Sequence, residues 1–264
     1  MKGWNAPGPR HAVILAGGKG IRLRPYTTCL PKPLVPIGDE HSILEIVLRQ
    51  LAASGFRTAT LAIGHLGQLV RAYVGDGSRW GIEVDYAEED APLGTIGPLL
   101  PILDRLPEHF VVMNGDVLTD LQFGNLLDLH IASSSPLTVA AYVRTIEIDF
   151  GVLDVNETQI LGFTEKPTIE HHVSMGVYAM SRETLERYPA GQSFGFDDLV
   201  LNLLDEGPAP TYFPFDGYWR DIGRPEDYDA ANDEFAARRE SLLPARTDPL
   251  FTLETAVAKE AASA

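Results

Sequence analysis

A chain of 264 residues, 45% hydrophobic and 22% charged, fits a soluble globular protein of one large domain or two small ones. At this length roughly 70–75% of the unfolded surface can be buried without any staple, and the single cysteine, Cys29, excludes a disulfide framework or a cysteine-built metal centre. A net charge of −16 argues against nucleic-acid or anionic-membrane partners. No apolar run reaches the length of a membrane span, and the opening MKGWNAPGPRH lacks a signal peptide's apolar core, so a reducing, cytoplasmic setting is expected.

The apolar run His11–Ala16 reads as a buried strand that enters a glycine-rich loop. Ile43, Leu44, Val47, Leu48 and Leu51 recur at helical spacing up to Gly55. A strand over Thr58–Ile63, a helix over Leu66–Val74 and a strand over Ile82–Ala87 follow. Thr95–Leu106 reads as a helix despite Pro98 and Pro101. Phe110–Met113 is a fourth buried strand, closed by Asn114-Gly115-Asp116; Phe123–Ser133 reads as a helix and Leu137–Val143 as a fifth strand. This alternation implies a doubly wound parallel sheet with helices on both faces. The pattern then changes to strands over 152–155, 159–164, 172–180 and 211–215, with helices over 182–188 and 196–205. These are expected to form an antiparallel or mixed sheet layered beside the first. A last helix should start near Pro225.

Charge is distributed unevenly along the chain. Residues 1–38 hold six basic side chains (Lys2, Arg10, Lys19, Arg22, Arg24, Lys32) and no acid, which suits a small polyanion held locally or is a chance cluster on a solvated face. In Leu15-Ala16-Gly17-Gly18-Lys19-Gly20-Ile21-Arg22, glycines let backbone N–H groups approach phosphate oxygens and the cations supply charge. Neither of the common phosphate-loop patterns is present. In Pro31-Lys32-Pro33-Leu34-Val35-Pro36 the prolines stiffen the backbone, so Lys32 is either an aimed cation or a solvated residue of a rigid linker.

Asp116 follows a strand at the sheet edge where ligands bind and suits Mg²⁺, or it caps the next segment. Asp221, in Trp219-Arg220-Asp221-Ile222-Gly223, is a second candidate ligand or a cap for the helix at Pro225. Glu165-Lys166-Pro167 offers a carboxylate for hydroxyls and a cation for a phosphate. His171 and His172 would point to opposite faces and share no metal, and Cys29 is expected to be inert.

In order, the glycine-rich loop, PKP, NGD, EKP and WRDIGRPEDY make the stretch from His11 to Phe235 resemble the sugar-1-phosphate nucleotidylyltransferases. That resemblance implies a Rossmann-like mixed sheet with an inserted smaller sugar-binding sheet. It also implies transfer of a nucleotidyl group from a nucleoside triphosphate to a sugar 1-phosphate with Mg²⁺, releasing pyrophosphate. Carried over by position, Arg22 and Lys32 would neutralise the triphosphate, and Asp116 and Asp221 would hold the metal. Leu15, Ala16, Gly17, Gly18, Lys19, Gly20, Gly94 and Thr95 would line the nucleotide. Gly151, Glu165, Lys166, Ser174 and Gly176 would line the sugar phosphate. The chain would divide into an arm (1–10), a nucleotide-binding part (11–145), a sugar-binding part (146–223), a terminal helix (224–243) and a tail (244–264), and would form a homo-oligomer.

Two departures from the family pattern concern the substrate. Ile21 stands where the family has threonine, and Ser174 where it has asparagine. Pro92–Leu99 is similar to the mannose-1-phosphate guanylyltransferase-like branch, which favours GTP and a manno-configured sugar, with Glu88, Glu89 or Asp90 accepting from guanine. A larger Ile96 would instead narrow the pocket towards a pyrimidine. Thymidylyl, uridylyl or cytidylyl transfer to glucose 1-phosphate and a non-catalytic regulatory homologue are the alternatives. A dinucleotide-dependent dehydrogenase would need an acid such as Asp39 or Glu40 for a ribose, but the loop is wrong for it.

Overall fold

The structure is a computed structural model that describes residues 9–38, 40–89 and 91–244. Most of the expected arm, Asp39, Asp90 and the tail beyond residue 244 lie outside the described residues. The strands are β1 (Arg10–Ala16), β2 (Pro36–Ile37), β3 (His41–Ser42), β4 (Phe56–Ile63), β5 (Glu83–Glu88), β6 (His109–Asn114), β7 (Val117–Thr119), β8 (Leu137–Glu147), β9 (Val152–Asn156), β10 (Gln159–Thr164), β11 (Thr168–Ser181), β12 (Thr211–Phe215) and β13 (Trp219–Asp221). The α-helices are α1 (Ile43–Ala53), α2 (Gly67–Val74), α3 (Phe123–Ser133), α4 (Arg182–Leu185), α5 (Phe196–Glu206) and α6 (Pro225–Leu242).

Seven strands form one sheet in the order β12-β8-β11-β6-β1-β4-β5. β1 pairs in parallel with β4 and β6, β4 with β5, and β12 with β8; β11 alone runs antiparallel, between β6 and β8. The expected Rossmann-like mixed sheet is therefore present, as is a smaller sheet, the β9–β10 hairpin. The expected layering is not. β8, β11 and β12 extend the first sheet instead of stacking beside it, because β11 pairs directly with β6 over Val177–Ser181.

Local chemistry accounts for most elements. Ala12, Val13, Ile14 and Ala16 of β1 are buried because separate core clusters lie on the two sheet faces. Ser42 caps α1 by accepting from the Glu45 N–H at 3.1 Å. The helix expected over 95–106 is a 3₁₀ segment, Gly97–Arg105; Pro101 inside it has no N–H to donate to an α-helical ladder. A pair of three-residue strands is also present, β7 against β13, and it matters for the site below. No helix among the described residues is long and apolar enough to cross a membrane.

Two core histidines set a pH dependence. His11 is bonded to Thr58 at 2.8 Å and Thr60 at 3.1 Å, and His130 to Thr138 at 2.9 Å and Ser181 at 3.1 Å. Burial lowers both imidazoles from 6.5 to about 4. Between those values the unfolded chain binds protons that the folded chain refuses. Stability is therefore full above pH 6.5 and is lost as pH falls towards 4, by about 2 kcal/mol per histidine at pH 5. Urea unfolding at pH 7 and pH 5 should show this loss. His130→Gln should remove about half of it.

Candidate active site

The switch point of the sheet lies between β1 and β6, since the chain winds from β1 through β4 to β5 and returns to β6 on the opposite side of β1. Leu15 is opposite Asn114 there, and the Gly115 N–H donates to the Leu15 carbonyl at 2.9 Å. Crevices at such points take ligands because the loops on either side part. A cleft of about 820 Å³ opens at this place, walled by the loop after β1, the 64–65 turn, the segment after β5 and the end of β6.

Of the residues expected to meet a nucleotide, Leu15, Gly17, Gly18, Lys19, Gly94 and Thr95 line the cleft. Ala16 does not: it is 2% exposed and belongs to the core. Gly20 turns the loop in a left-handed conformation and packs on Thr27 and on the Lys32 stem; its carbonyl accepts from the Thr27 hydroxyl at 2.6 Å. The Thr95 hydroxyl is engaged by the Phe196 N–H at 2.7 Å, so it fastens α5 to the cleft wall.

Five cleft residues were missed or left unresolved by sequence reasoning: Gly64, His65, Ala91, Asn114 and Glu89. Gly64 and His65 carry no motif; they reach the cleft because the His65 N–H donates to the Gly17 carbonyl at 3.2 Å. Glu88 and Glu89 diverge at the end of β5. Glu88 pairs outward with Arg71, and Glu89 faces the cleft. A methyl group on Gly17 would stand 2.7 Å from Glu89 Oε1. Burial pushes the Glu89 carboxyl up, partly offset by the Leu93 N–H. Ile96 does not narrow the cleft; it is fully buried in the core with Leu99 and Phe110.

Charged residues converge at one end of the cleft. Lys32 lies in a 3₁₀ turn between Pro31 and Leu34. Its side chain is only 10% exposed, and its Nζ donates to Asp116 Oδ2. It is thus a positioned cation and not a solvated linker residue. Asp116 Oδ1 is buried with no hydrogen-bond partner, so Asp116 does not cap the segment that follows it.

Asp221 reaches the same place through β7 and β13. It is opposite Val117, and the Ile222 N–H donates to the Asp116 carbonyl at 3.0 Å. Burial raises the Asp221 carboxyl, the charge of Asp116 raises it further, and Lys32 and Arg22 oppose this. Arg22 itself is exposed on the 3₁₀ turn Ile21–Leu23. Asp221 is not the cap of α6 either; Asp227 accepts from the Arg224 N–H at 3.0 Å and fills that role.

The remaining expected residues fall into two groups. Ser174–Gly176 forms an irregularity in the β11–β8 pairing beside the cleft. Gly176 has φ +72°, and a Cβ there would stand 2.6 Å from Asn114 Nδ2, so glycine is required on both counts. The Trp219 indole N–H donates to the Met175 carbonyl at 3.0 Å, tying this irregularity to β13 and hence to Asp221. Gly151 and Glu165 meet at the base of the β9–β10 hairpin, where Phe163 also covers Gly151. Lys166 enters β11 with φ +43°, a strained backbone for a non-glycine residue. His172 packs edge-on against Tyr212, and Cys29 is exposed. Glu40 is paired with Arg239 at 2.8 Å, so it is no ribose ligand.

A mostly parallel sheet with a glycine-rich loop and a cleft at its switch point places the fold in the Rossmann-like class of α/β proteins. The chain belongs to the nucleotidyl transferase family, whose family model matches residues 11–238. It is 33% identical over 225 residues to a mannose-1-phosphate guanylyltransferase of Mycobacterium tuberculosis, covering 82% of this chain and 62% of that protein. It is 32% identical over 237 residues to a UTP–glucose-1-phosphate uridylyltransferase of Synechocystis, covering 82% of this chain and 61% of that protein. The chain thus spans less than two thirds of the length of either relative. The solved structure of HddC from Yersinia pseudotuberculosis superposes with a TM-score of 0.68 at 26% identity, covering 86% of this chain and 99% of that one. A structure of HddC complexed with GMP-PN gives 0.66.

Proposed function

We propose that the protein joins a nucleoside triphosphate to a sugar 1-phosphate, giving a nucleoside-diphosphate sugar and pyrophosphate. The observation that carries this is the meeting of Lys32, Asp116 and Asp221 at the mouth of the switch-point cleft. In the reaction an oxygen of the sugar phosphate attacks the α-phosphorus. The bond from that phosphorus to the bridging oxygen breaks, and pyrophosphate leaves. The attacking phosphate is largely ionised at pH 7, its second pKa being about 6, so no protein base is required. Positioning and charge neutralisation carry the rate.

Lys32 and Arg22 are assigned to the triphosphate and the leaving pyrophosphate. The loop Gly17–Gly20 is assigned to the phosphates through backbone N–H groups, with Lys19 adding charge. Asp116 and Asp221 fit a divalent cation. One Asp116 oxygen is buried without a hydrogen-bond partner, and the charge of Asp116 adds to burial in raising the Asp221 carboxyl, a cost that a cation between them would remove. Mg²⁺, when bound, neutralises phosphate charge with few protein ligands. Gly151, Glu165, Lys166, Ser174 and Gly176 are assigned to the sugar phosphate, Lys166 as the phosphate cation and Glu165 as the hydroxyl acceptor. Within this reading, residues 11–145 serve the nucleotide and 146–223 the sugar.

We infer GTP as the nucleotide and a manno-configured sugar phosphate as the acceptor. Glu89 supports the base: it is the one acid of the 88–89 pair that faces the cleft, and it matches the donor edge of guanine. The relative named a guanylyltransferase and the HddC complex with GMP-PN agree with this, while the uridylyltransferase relative keeps other bases in the test.

The deciding experiment mixes each nucleoside triphosphate with a panel of sugar 1-phosphates and Mg²⁺ and measures pyrophosphate. Release that requires both substrates is the expected result. No release from any pair would overturn the reading in favour of a regulatory homologue.

A further inference from the structure

Asn114 ends β6 at the cleft, and nothing in the site described above uses its side chain. The residue is half-buried and lines the cleft, yet its carboxamide makes no hydrogen bond to any other described residue. A carboxamide carries two donors and an acceptor. Leaving them unmade costs most where a bound ligand keeps water out, so the group suits a ligand that both donates and accepts.

The sheet order decides which ligand that is. Successive strands β5, β4, β1 and β6 deliver Glu89, then Gly64 and His65, then Gly17 and Gly18, and finally Asn114 to the cleft. Three strand intervals of about 4.8 Å therefore separate Asn114 from the side assigned to the base. On its other side is β11. Val177 is opposite Met113, and one step further a Cβ on Gly176 would stand 2.6 Å from Asn114 Nδ2. Asp116 follows two residues along the chain. Ser174, in the same irregularity of β11, has no donor to spare. Its hydroxyl donates to the Tyr178 hydroxyl at 3.4 Å and accepts from the Gly176 N–H at 3.3 Å. Ser174 thus shapes this wall, and the open donors of the wall belong to Asn114.

We propose, resting on the reaction assigned above, that Asn114 selects the acceptor by holding two neighbouring hydroxyls of the sugar, those at C2 and C3. One hydroxyl donates to Oδ1 and its neighbour accepts from Nδ2, so the carboxamide meets a vicinal pair with one donor and one acceptor. The C2 end is the end that carries the anomeric phosphate, which matches the place of Asn114 beside Asp116. A sugar lacking either hydroxyl leaves half of the carboxamide unpaired, and that penalty is what selects the substrate.

The test pairs a deleted side chain with deleted hydroxyls. Pyrophosphate release is measured for an accepted sugar 1-phosphate and its 2-deoxy, 3-deoxy and 4-deoxy counterparts, in the wild type and in Asn114→Ala. In the wild type, loss of the 2- or 3-hydroxyl should lower kcat/KM by about 5–150-fold, the range of one buried hydrogen bond. In Asn114→Ala the same loss should cost no more than about 2-fold, because the partner is gone. Loss of the 4-hydroxyl should cost both proteins alike, and the KM for the nucleoside triphosphate should stay within about 2-fold. Should the alanine variant fail to fold by circular dichroism, Asn114→Ser carries the same comparison. Equal penalties in both proteins for the 2- and 3-hydroxyls would overturn the proposal. So would an effect confined to the KM for the nucleoside triphosphate. A wild type that releases no pyrophosphate with any pair would overturn the reaction and this role together, and the lack of any wild-type rate sets that result apart.

Discussion

Alanine at Lys32 is expected to lower kcat for nucleotidyl transfer by roughly 10²–10³, with a smaller change in the KM for the nucleoside triphosphate. The range is that of losing one preorganised donor aimed at developing charge, about 2.7–4 kcal/mol in the transition state. Lys32 meets the conditions for such a role. Its turn is stiffened by Pro31 and Pro33, its stem packs on Gly20, and its Nζ is held by Asp116. The ammonium therefore loses little freedom when the reaction begins. A stability effect is expected too, but a modest one, because Asp116 is 23% exposed at the cleft mouth and water can replace the lost partner. Arg22→Ala should fall in the same range of kcat, with less effect on stability because the side chain is exposed. Steady-state pyrophosphate release and a thermal melt on each variant would separate these effects. A folded Lys32→Ala protein with near-normal kcat would return the lysine to a purely structural role.

The parts of this site that were legible in the sequence share one property: each sits beside a strand with a strong apolar run. β1 and β6 are such strands, so the sequence alone places the loop at Gly17–Gly20 and the acid at Asp116 at strand ends. Asp221 stands in the sequence as a candidate ligand or a helix cap, and only the family pattern pairs it with Asp116. It arrives by β7 and β13, three residues each, and three residues show no periodicity of their own. The division of Glu88 from Glu89 was hidden for a related reason. Neighbouring residues at a strand end diverge, and which one faces the cleft depends on the pairing of β5 with β4, which is a long-range fact. The misplaced layering has the same origin, since nothing local in 168–181 announces that β11 will pair with β6. Ile96, larger than the alanine of the guanylyl-like pattern, reads in the sequence as narrowing the pocket, because size alone does not show which way a side chain points. The turn that opens the 3₁₀ segment sends it into the core instead.

The second large effect expected is on base selection. The protein should show its highest kcat/KM with GTP, and Glu89→Gln should lower that value by about 5–150-fold, the equivalent of one buried hydrogen bond at 1–3 kcal/mol. Guanine presents two donors, N1–H and the N2 amine, to a carboxylate that can accept both; an amide side chain keeps the shape but turns one acceptor into a donor. Uracil and thymine offer one donor at the corresponding edge and adenine offers none at N1, so each leaves an acceptor of Glu89 unpaired in the cleft. The raised carboxyl adds a pH signature. Only the ionised form accepts from both guanine donors, so the preference for GTP is complete above the raised value and declines as pH falls through it, at a higher pH than an ordinary glutamate would give. In Glu89→Gln that acid limb should vanish from the ratio of kcat/KM for GTP over UTP while the limb from other groups persists. The measurement is kcat/KM for GTP, dTTP, UTP, CTP and ATP at equal Mg²⁺ with one accepted sugar phosphate. A tenfold preference for a pyrimidine nucleotide would refute guanine and would recast Glu89 as a group that merely orders the Gly17 and Leu93 backbones. The reaction class would stand, because the phosphates are assigned to Lys32, Arg22 and the Gly17–Gly20 loop, and that assignment does not depend on Glu89.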